Sequence, residues 1–191
     1  MDLVIWSYKD EGHSCVLQPP EGIEQDWQLH EGVPRRATFP PDALFRMSDS
    51  HKRSIGLTDN LMNLSELAVV SGHMKEFLES RSLKNVEYLP VRVVNHKGRE
   101  VKDRYFILHP IFPQDCLDVQ KSGCSYNKII HTDIDSVNAL VIDPARLDPD
   151  AQIFRLKDFG APLLICRALA EEILNAGFRG VSFLELRDYE S

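Results

Sequence analysis

The pattern of apolar positions predicts short strands along the chain and two amphipathic helices. The first run, LVIWSY at residues 3–8, predicts a strand. At residues 67–71 a second apolar run leads into a segment that places Met74, Phe77 and Leu78 on one helical face. Later runs predict strands at 86–94, 101–111, 136–143, 151–156, 162–165 and 181–186, and a helix at 167–176 that ends at Gly177.

Four of these strands and both helices form two similar strand-helix-strand units. Residues 69–89 align with 164–184 at an offset of 95, as a duplication or as the periodicity that any strand-helix-strand unit shares. Between them, the strands on either side of NHKGRE (95–100) form a β-hairpin. The sequence therefore predicts an α+β fold: a mixed β-sheet with a β-hairpin and two similar strand-helix-strand units packed on it. The expected core residues are Leu78, Phe154, Ile173 and Phe183.

The first third of the chain has little periodicity. Residues 10–60 carry five prolines, and only PDALFRM (41–47) indicates a short helix. We therefore expect an acidic, loop-rich N-terminal arm or lobe at 1–62 and an α+β domain at 63–191.

Charge singles out this arm. The net charge is −7, and residues 10–34 contain six acids and no lysine or arginine. This balance argues against nucleic acid as a partner and permits a basic protein. Trp27, flanked by Glu21, Glu24 and Asp26, is a candidate partner-binding anchor. The alternative is that Trp27 folds back onto the core and that the acids are only solvated.

The sequence predicts neither a membrane span nor a cofactor. It has no apolar run of about 20 residues and no recognisable signal peptide, so we expect a cytoplasmic protein. Its four cysteines and seven histidines show no zinc-ligand spacing, and no metal site is predicted.

The stretch YFILHPIFPQDCLDVQKS (105–122) gathers reactive side chains. Cys116 as nucleophile, His109 as base and Asp115 or Asp118 as orienting group would form a catalytic set. Acidic and apolar neighbours raise a thiol pKa, however, which favours a buried cysteine beside aspartates that cap a turn. A metal site that combines these aspartates with HTDID (131–135) lacks the features of a calcium loop. The two aspartates stay candidates for a surface role.

Several motifs resemble a bacterial family, formerly of unknown function, that is counted among the immunity proteins of polymorphic-toxin systems. The resemblance covers about residues 40–186. His109 stands where asparagine is expected, and Cys166 where a serine cap is expected. The matching positions are Ser71, Tyr105, Leu108, Asp115, Cys116, Leu117, Asp118, Ser122, Ile153, Phe154, Arg155, Gly177, Gly180 and Phe183.

The resemblance implies an immunity protein that binds and neutralises a cognate effector toxin in the cytoplasm, and it implies no catalytic residues. Two alternatives stay open. One is a small enzyme that reverses toxin damage or modification through Cys116 and His109. The other is an adaptor that binds the effector without inhibiting it. Neither nucleic acid nor membrane is an expected partner, and a homo-oligomer stays open.

Overall fold

The computed structural model describes residues 1–131 and 133–190. Within this part of the chain, twelve strands and three α-helices alternate with loops and short 3-10 helices. In chain order they are β1 (Leu3–Tyr8), β2 (Val16–Leu17), β3 (Leu44–Arg46), β4 (Asn60–Asn63), β5 (Val69–Ser71), α1 (Gly72–Glu79), β6 (Val86–Val94), β7 (Tyr105–Pro110), α2 (Val119–Ser122), β8 (Ser125–Tyr126), β9 (Ile134–Ser136), β10 (Ile153–Leu156), β11 (Phe159–Cys166), α3 (Arg167–Asn175) and β12 (Val181–Glu185).

The strands form two main sheets. An antiparallel sheet has the order β10-β11-β1-β12, and a mixed sheet has the order β2-β4-β5-β7-β6-β3. The mixed sheet is nearly closed into a barrel. Where β4 begins, the backbone N–H groups of Asp59 and Asn60 both donate to the Arg179 carbonyl (3.0 and 3.2 Å). The predicted α+β class is confirmed.

The predicted hairpin and both strand-helix-strand units are present. β6 and β7 pair antiparallel, and the two units are β5-α1-β6 and β11-α3-β12. The Ser71 hydroxyl caps α1 by accepting from the Met74 N–H (3.1 Å), whereas the Cys166 side chain makes no cap bond to α3. The buried faces of both helices share one apolar cluster, which includes Leu78 and Ile173.

Three of the four expected core side chains are buried. Leu78, Phe154 and Ile173 are at most 2% exposed, which confirms them as core residues. Phe183 is only half-buried, because it lies on the edge strand β12, where it packs edge-to-face against Trp6 with the ring centroids 5.6 Å apart.

Two predicted elements are wrong. The helix expected at 41–47 is instead strand β3, because residues 44–46 pair parallel with residues 92–94 of β6. The strand expected at 136–143 is mostly loop, with an isolated bridge between Leu117 and Ile142. Ser122 satisfies much of this loop's backbone, since its carbonyl accepts from Asn138 (2.9 Å) and its hydroxyl accepts from Val141 (3.2 Å).

Residues 1–62 are built into both sheets. β1 lies between β11 and β12, while β2, β3 and β4 belong to the mixed sheet. Leu17 and Phe45 are fully buried in a core cluster that also includes residues of β5, β6 and β7. The division of the chain at residue 62 stays a prediction, and the two sides of that position share their cores.

Candidate functional site

The acidic segment around Trp27 is folded against the protein. Asp26–Leu29 form a 3-10 helix, and Gln25, the residue before it, has a left-handed backbone conformation (φ 54°). Leu29 is fully buried and fixes this helix to the core, whereas the Trp27 side chain is 55% exposed. The alternative in which Trp27 folds back onto the core is therefore wrong.

A buried carboxylate holds the segment that follows. Glu87 on β6 is 8% exposed, and its Oε2 accepts from the backbone N–H groups of Arg35 (2.8 Å) and Arg36 (3.0 Å). On the neighbouring strand, His109 Nε2 lies 2.8 Å from the Val33 carbonyl oxygen. Because bonds to a buried charged group are strong, Glu87 fixes the path of residues 33–36.

The Arg35 guanidinium ties residue 35 back to the segment that carries Trp27. It donates to Gln28 Oε1 (2.5 Å) and to the Glu24 carbonyl (2.9 Å). A groove of about 500 Å³ opens beside it, lined in part by Glu24, Gln28, Val33 and Arg35. The loop therefore presents a shaped surface instead of a loose tail.

A second contact fixes the loop at His30. A Cβ on Gly160 would lie 2.1 Å from the His30 carbonyl oxygen, so only glycine allows this close approach between the loop and β11. Burial lowers the pKa of His30 to about 4, and the nearby charge of Arg155 acts in the same direction. At neutral pH the loop is thus held with His30 uncharged.

Phe112 is an exposed aromatic side chain that sequence reasoning did not single out. It is 57% exposed and has φ 62°, a left-handed backbone that a bulky residue rarely adopts. Its N–H donates to the Gly32 carbonyl (3.1 Å), next to Val33, which is 36% exposed. Strained, exposed residues of this kind concentrate at functional sites. We call the three exposed apolar side chains Trp27, Val33 and Phe112, which lie on this loop or beside it through the Phe112–Gly32 contact, the arm face.

The acids predicted to bind a partner lie on two segments of the chain. Glu21, Glu24 and Asp26 belong to the loop that carries Trp27; the first two are exposed and Asp26 is half-buried. Glu21 also pairs with Arg46 (2.7 Å between Oε1 and Nε). The structure thus places these three acids on one loop with Trp27, and their part in partner binding stays a prediction.

Asp115 and Asp118 follow Phe112 on the segment after β7. Asp115 is exposed and pairs with Arg146 (2.6 Å). Asp118 caps α2 by accepting from the Lys121 N–H (3.1 Å) and pairs with its ammonium group (2.8 Å), which lowers the pKa of Asp118. The expectation that Asp118 orders the turn is confirmed, and a binding role for either residue stays a prediction.

Cys116 and His109 are set into different surroundings. Cys116 is fully buried in a cluster with Leu3 and Ile5, and burial raises the pKa of its thiol to about 11. His109 is 1% exposed on β7, and burial lowers its pKa. A thiol with a raised pKa and no exposure is a poor nucleophile.

Residues 1–131 and 133–190 offer neither a metal-binding cluster nor a membrane-spanning helix. No three histidine, cysteine or acidic side chains of these residues lie where they could hold a metal ion together. No helix formed by them has the length and apolar character that crossing a bilayer requires.

Comparison with known proteins yields a family. The model described as "Immunity protein family (Imm11)" matches residues 7–188. No curated protein matches the chain. The match begins at residue 7, so the expected limit of the resemblance at residue 40 is wrong, and the arm face lies wholly inside the matched region.

Proposed function

We propose that this chain, which belongs to the Imm11 immunity protein family, protects its cell by binding a cognate effector toxin and blocking a surface that the toxin needs. The observation that carries the proposal is a family match over nearly the whole chain that includes an exposed, firmly held arm face. An inhibitor needs a rigid scaffold and a complementary patch, and it needs no catalytic group of its own.

The arm face has the features of a binding surface. Tryptophan and phenylalanine are enriched in interfaces, where a few anchors supply most of the binding energy. Glu87 and Arg35 already order the backbone around Val33, so little conformational entropy is lost on binding. The arm face therefore offers the toxin a preorganised apolar contact.

The acids around Trp27 favour a basic toxin surface. Glu21, Glu24 and Asp26 belong to the loop that carries Trp27, and charges at the rim of an interface act mainly on the rate of association. Reversing all three charges is expected to slow association and to flatten its dependence on salt. Surface plasmon resonance at two ionic strengths measures both effects, and unchanged association rates would remove these acids from the interface.

We place this activity in the cytoplasm. All four cysteines are free thiols, which is typical of a reducing compartment. The toxin would then act inside the cell, on a target that the immunity protein shields by capturing the toxin.

Co-expression tests the function. The partner to test is the toxin domain encoded in the neighbouring upstream reading frame, expressed with this protein in a sensitive host. Survival is expected with the wild type and with Leu174→Ala, a control that truncates a half-exposed leucine on α3. Trp27→Ala is expected to weaken binding by about 2 kcal/mol or more and to reduce survival.

Two outcomes would contradict the proposal. Death of cells that contain the folded wild-type protein would refute neutralisation of that toxin. Equal affinity of Trp27→Ala and Leu174→Ala would refute the arm face as the binding surface. Binding by the wild type without protection would favour the adaptor alternative.

A further inference from the structure

A cavity of about 420 Å³ opens between β1 of the antiparallel sheet and β4 of the mixed sheet. Its apolar wall includes Ile5, Leu61 and Leu163, and the turn after β12 completes it. The size falls within the range of cavities that bind small molecules or single side chains.

The polar walls of the cavity are fixed by internal hydrogen bonds. Asn60 accepts from Trp6 Nε1 (3.2 Å) and donates to the Gly180 carbonyl (3.0 Å). Asn63 donates to the Leu67 carbonyl (2.6 Å) and accepts from its N–H (3.0 Å). With these amides satisfied, the carboxylates and aromatic rings of the lining remain to meet a ligand.

The described lining residues combine aromatic rings with negative charge, and none of them is lysine, arginine or histidine. The aromatic members are Trp6, Tyr8 and Tyr189, and the acidic members are Glu66, Asp188 and Glu190. Aromatic faces and carboxylates together attract organic cations.

The neighbouring cations compensate this charge only in part. Among the described residues, the Glu66 and Glu190 side chains form no ion pair, and Asp188 reaches only Arg187, at 3.8 Å. The buried Arg155 lies close enough to Glu66 to offset part of its charge, and its guanidinium is held in place by bonds to the carbonyls of residues 160 and 161, so Asp188 and Glu190 carry most of the negative charge that a ligand would meet.

We infer that this cavity receives an arginine side chain of the toxin as a second contact, an inference that rests on the proposed function. A guanidinium is planar and weakly hydrated, so it stacks on aromatic rings and pairs with carboxylates more readily than an ammonium group does. The apolar wall covers the methylene stem of the same side chain. The positive charge of arginine thus complements the acidic lining of the cavity.

A fluorescence titration tests the cavity without the toxin. The chain has two tryptophans, so Trp27→Phe leaves Trp6, in the cavity wall, as the reporter. N-acetyl-arginine amide is expected to change its emission saturably, with a Kd on the order of 1 mM. The citrulline analogue has nearly the same shape but no charge, and it is expected to bind at least about ten-fold more weakly.

Variants locate the effect. Glu66→Gln combined with Asp188→Asn is expected to weaken binding of the arginine amide about ten-fold or more, while Glu76→Gln, an exposed change on α1, leaves it unchanged. No saturable signal from the arginine amide, equal binding of citrulline, or equal binding by the folded double variant would each overturn the inference.

The toxin provides a separate comparison. The double variant is expected to raise the Kd for the toxin by at least about ten-fold. An unchanged Kd together with intact protection would overturn the cavity contact and leave the proposed function standing. Failure of the wild-type protein to protect would contradict the proposed function, and the arginine titration would still report on the cavity.

Discussion

Replacing Glu87 by alanine removes the carboxylate that holds the backbone of residues 33–36, which includes Val33 of the arm face. In the native protein, Glu87 accepts from two backbone N–H groups, at 2.8 and 3.0 Å, and is 8% exposed. A hydrogen bond to a charged group contributes about 1.5–3 kcal/mol, and a buried donor without a partner destabilises the fold. Arg35 is buried and Arg36 is exposed, so water replaces only one of the two bonds well. We expect the free energy of unfolding to fall by about 3 kcal/mol.

Urea denaturation measures this loss, and amide hydrogen exchange locates it. The amides of residues 33–36 are expected to exchange faster in Glu87→Ala, while those of β1 and β11 keep their protection. The control is Glu100→Ala, which removes an exposed acid near the end of the same hairpin, paired with Arg92 at 3.7 Å. Such a surface pair contributes less than about 1 kcal/mol. If Glu87→Ala lost no more stability than the control, or left amide exchange at residues 33–36 unchanged, the role of Glu87 in holding these residues would be refuted.

Three further predictions concern stability. Cys166→Ser supplies the missing cap of α3 and is expected to raise the free energy of unfolding by about 0.5–1 kcal/mol, whereas Ser71→Ala lowers it by at least about 1 kcal/mol; the same sign for both would contradict the capping argument. The folded-state pKa of His30, about 4, lies below the unfolded value, so stability is full above about pH 6.5 and declines as pH falls toward 4. Denaturation at pH 7 and pH 5 should show a loss of stability to which His30 contributes about 2 kcal/mol, so His30→Gln should reduce it by about that amount, and a loss of the same size in that variant would exclude His30 as a source. Phe154→Ala is expected to destabilise the protein by about 3–5 kcal/mol and Phe183→Ala by roughly half as much, and equal losses in calorimetry would contradict their different burial.

The sequence was informative where structure depends on local periodicity. The β6–β7 hairpin and both strand-helix-strand units follow from apolar spacing, a turn around Gly98 and the Ser71 cap. Strand β3 could not be predicted in this way, because its conformation depends on pairing with residues 92–94, far away in the chain.

The site was predictable only in part, for the same reason. Composition identified Trp27 in an acidic loop, but its exposure follows from the way the buried Leu29 fixes the 3-10 helix to the core. Phe112 carries no signal in the sequence, because its strained conformation depends on the contact with Gly32. Exposure and strain are properties of the folded chain.

Titration of the toxin's activity by the purified protein tests the central claim most directly. With the toxin well above the Kd, residual activity is expected to fall linearly and to reach its minimum at about one immunity protein per toxin, as tight binding requires. With Trp27→Ala, which binds more weakly, activity should fall gradually with no sharp minimum at one equivalent, whereas Leu174→Ala should give the same sharp minimum as the wild type. Loss of activity at far less than one equivalent would indicate turnover and contradict neutralisation by binding, as would full toxin activity in the presence of a bound equivalent.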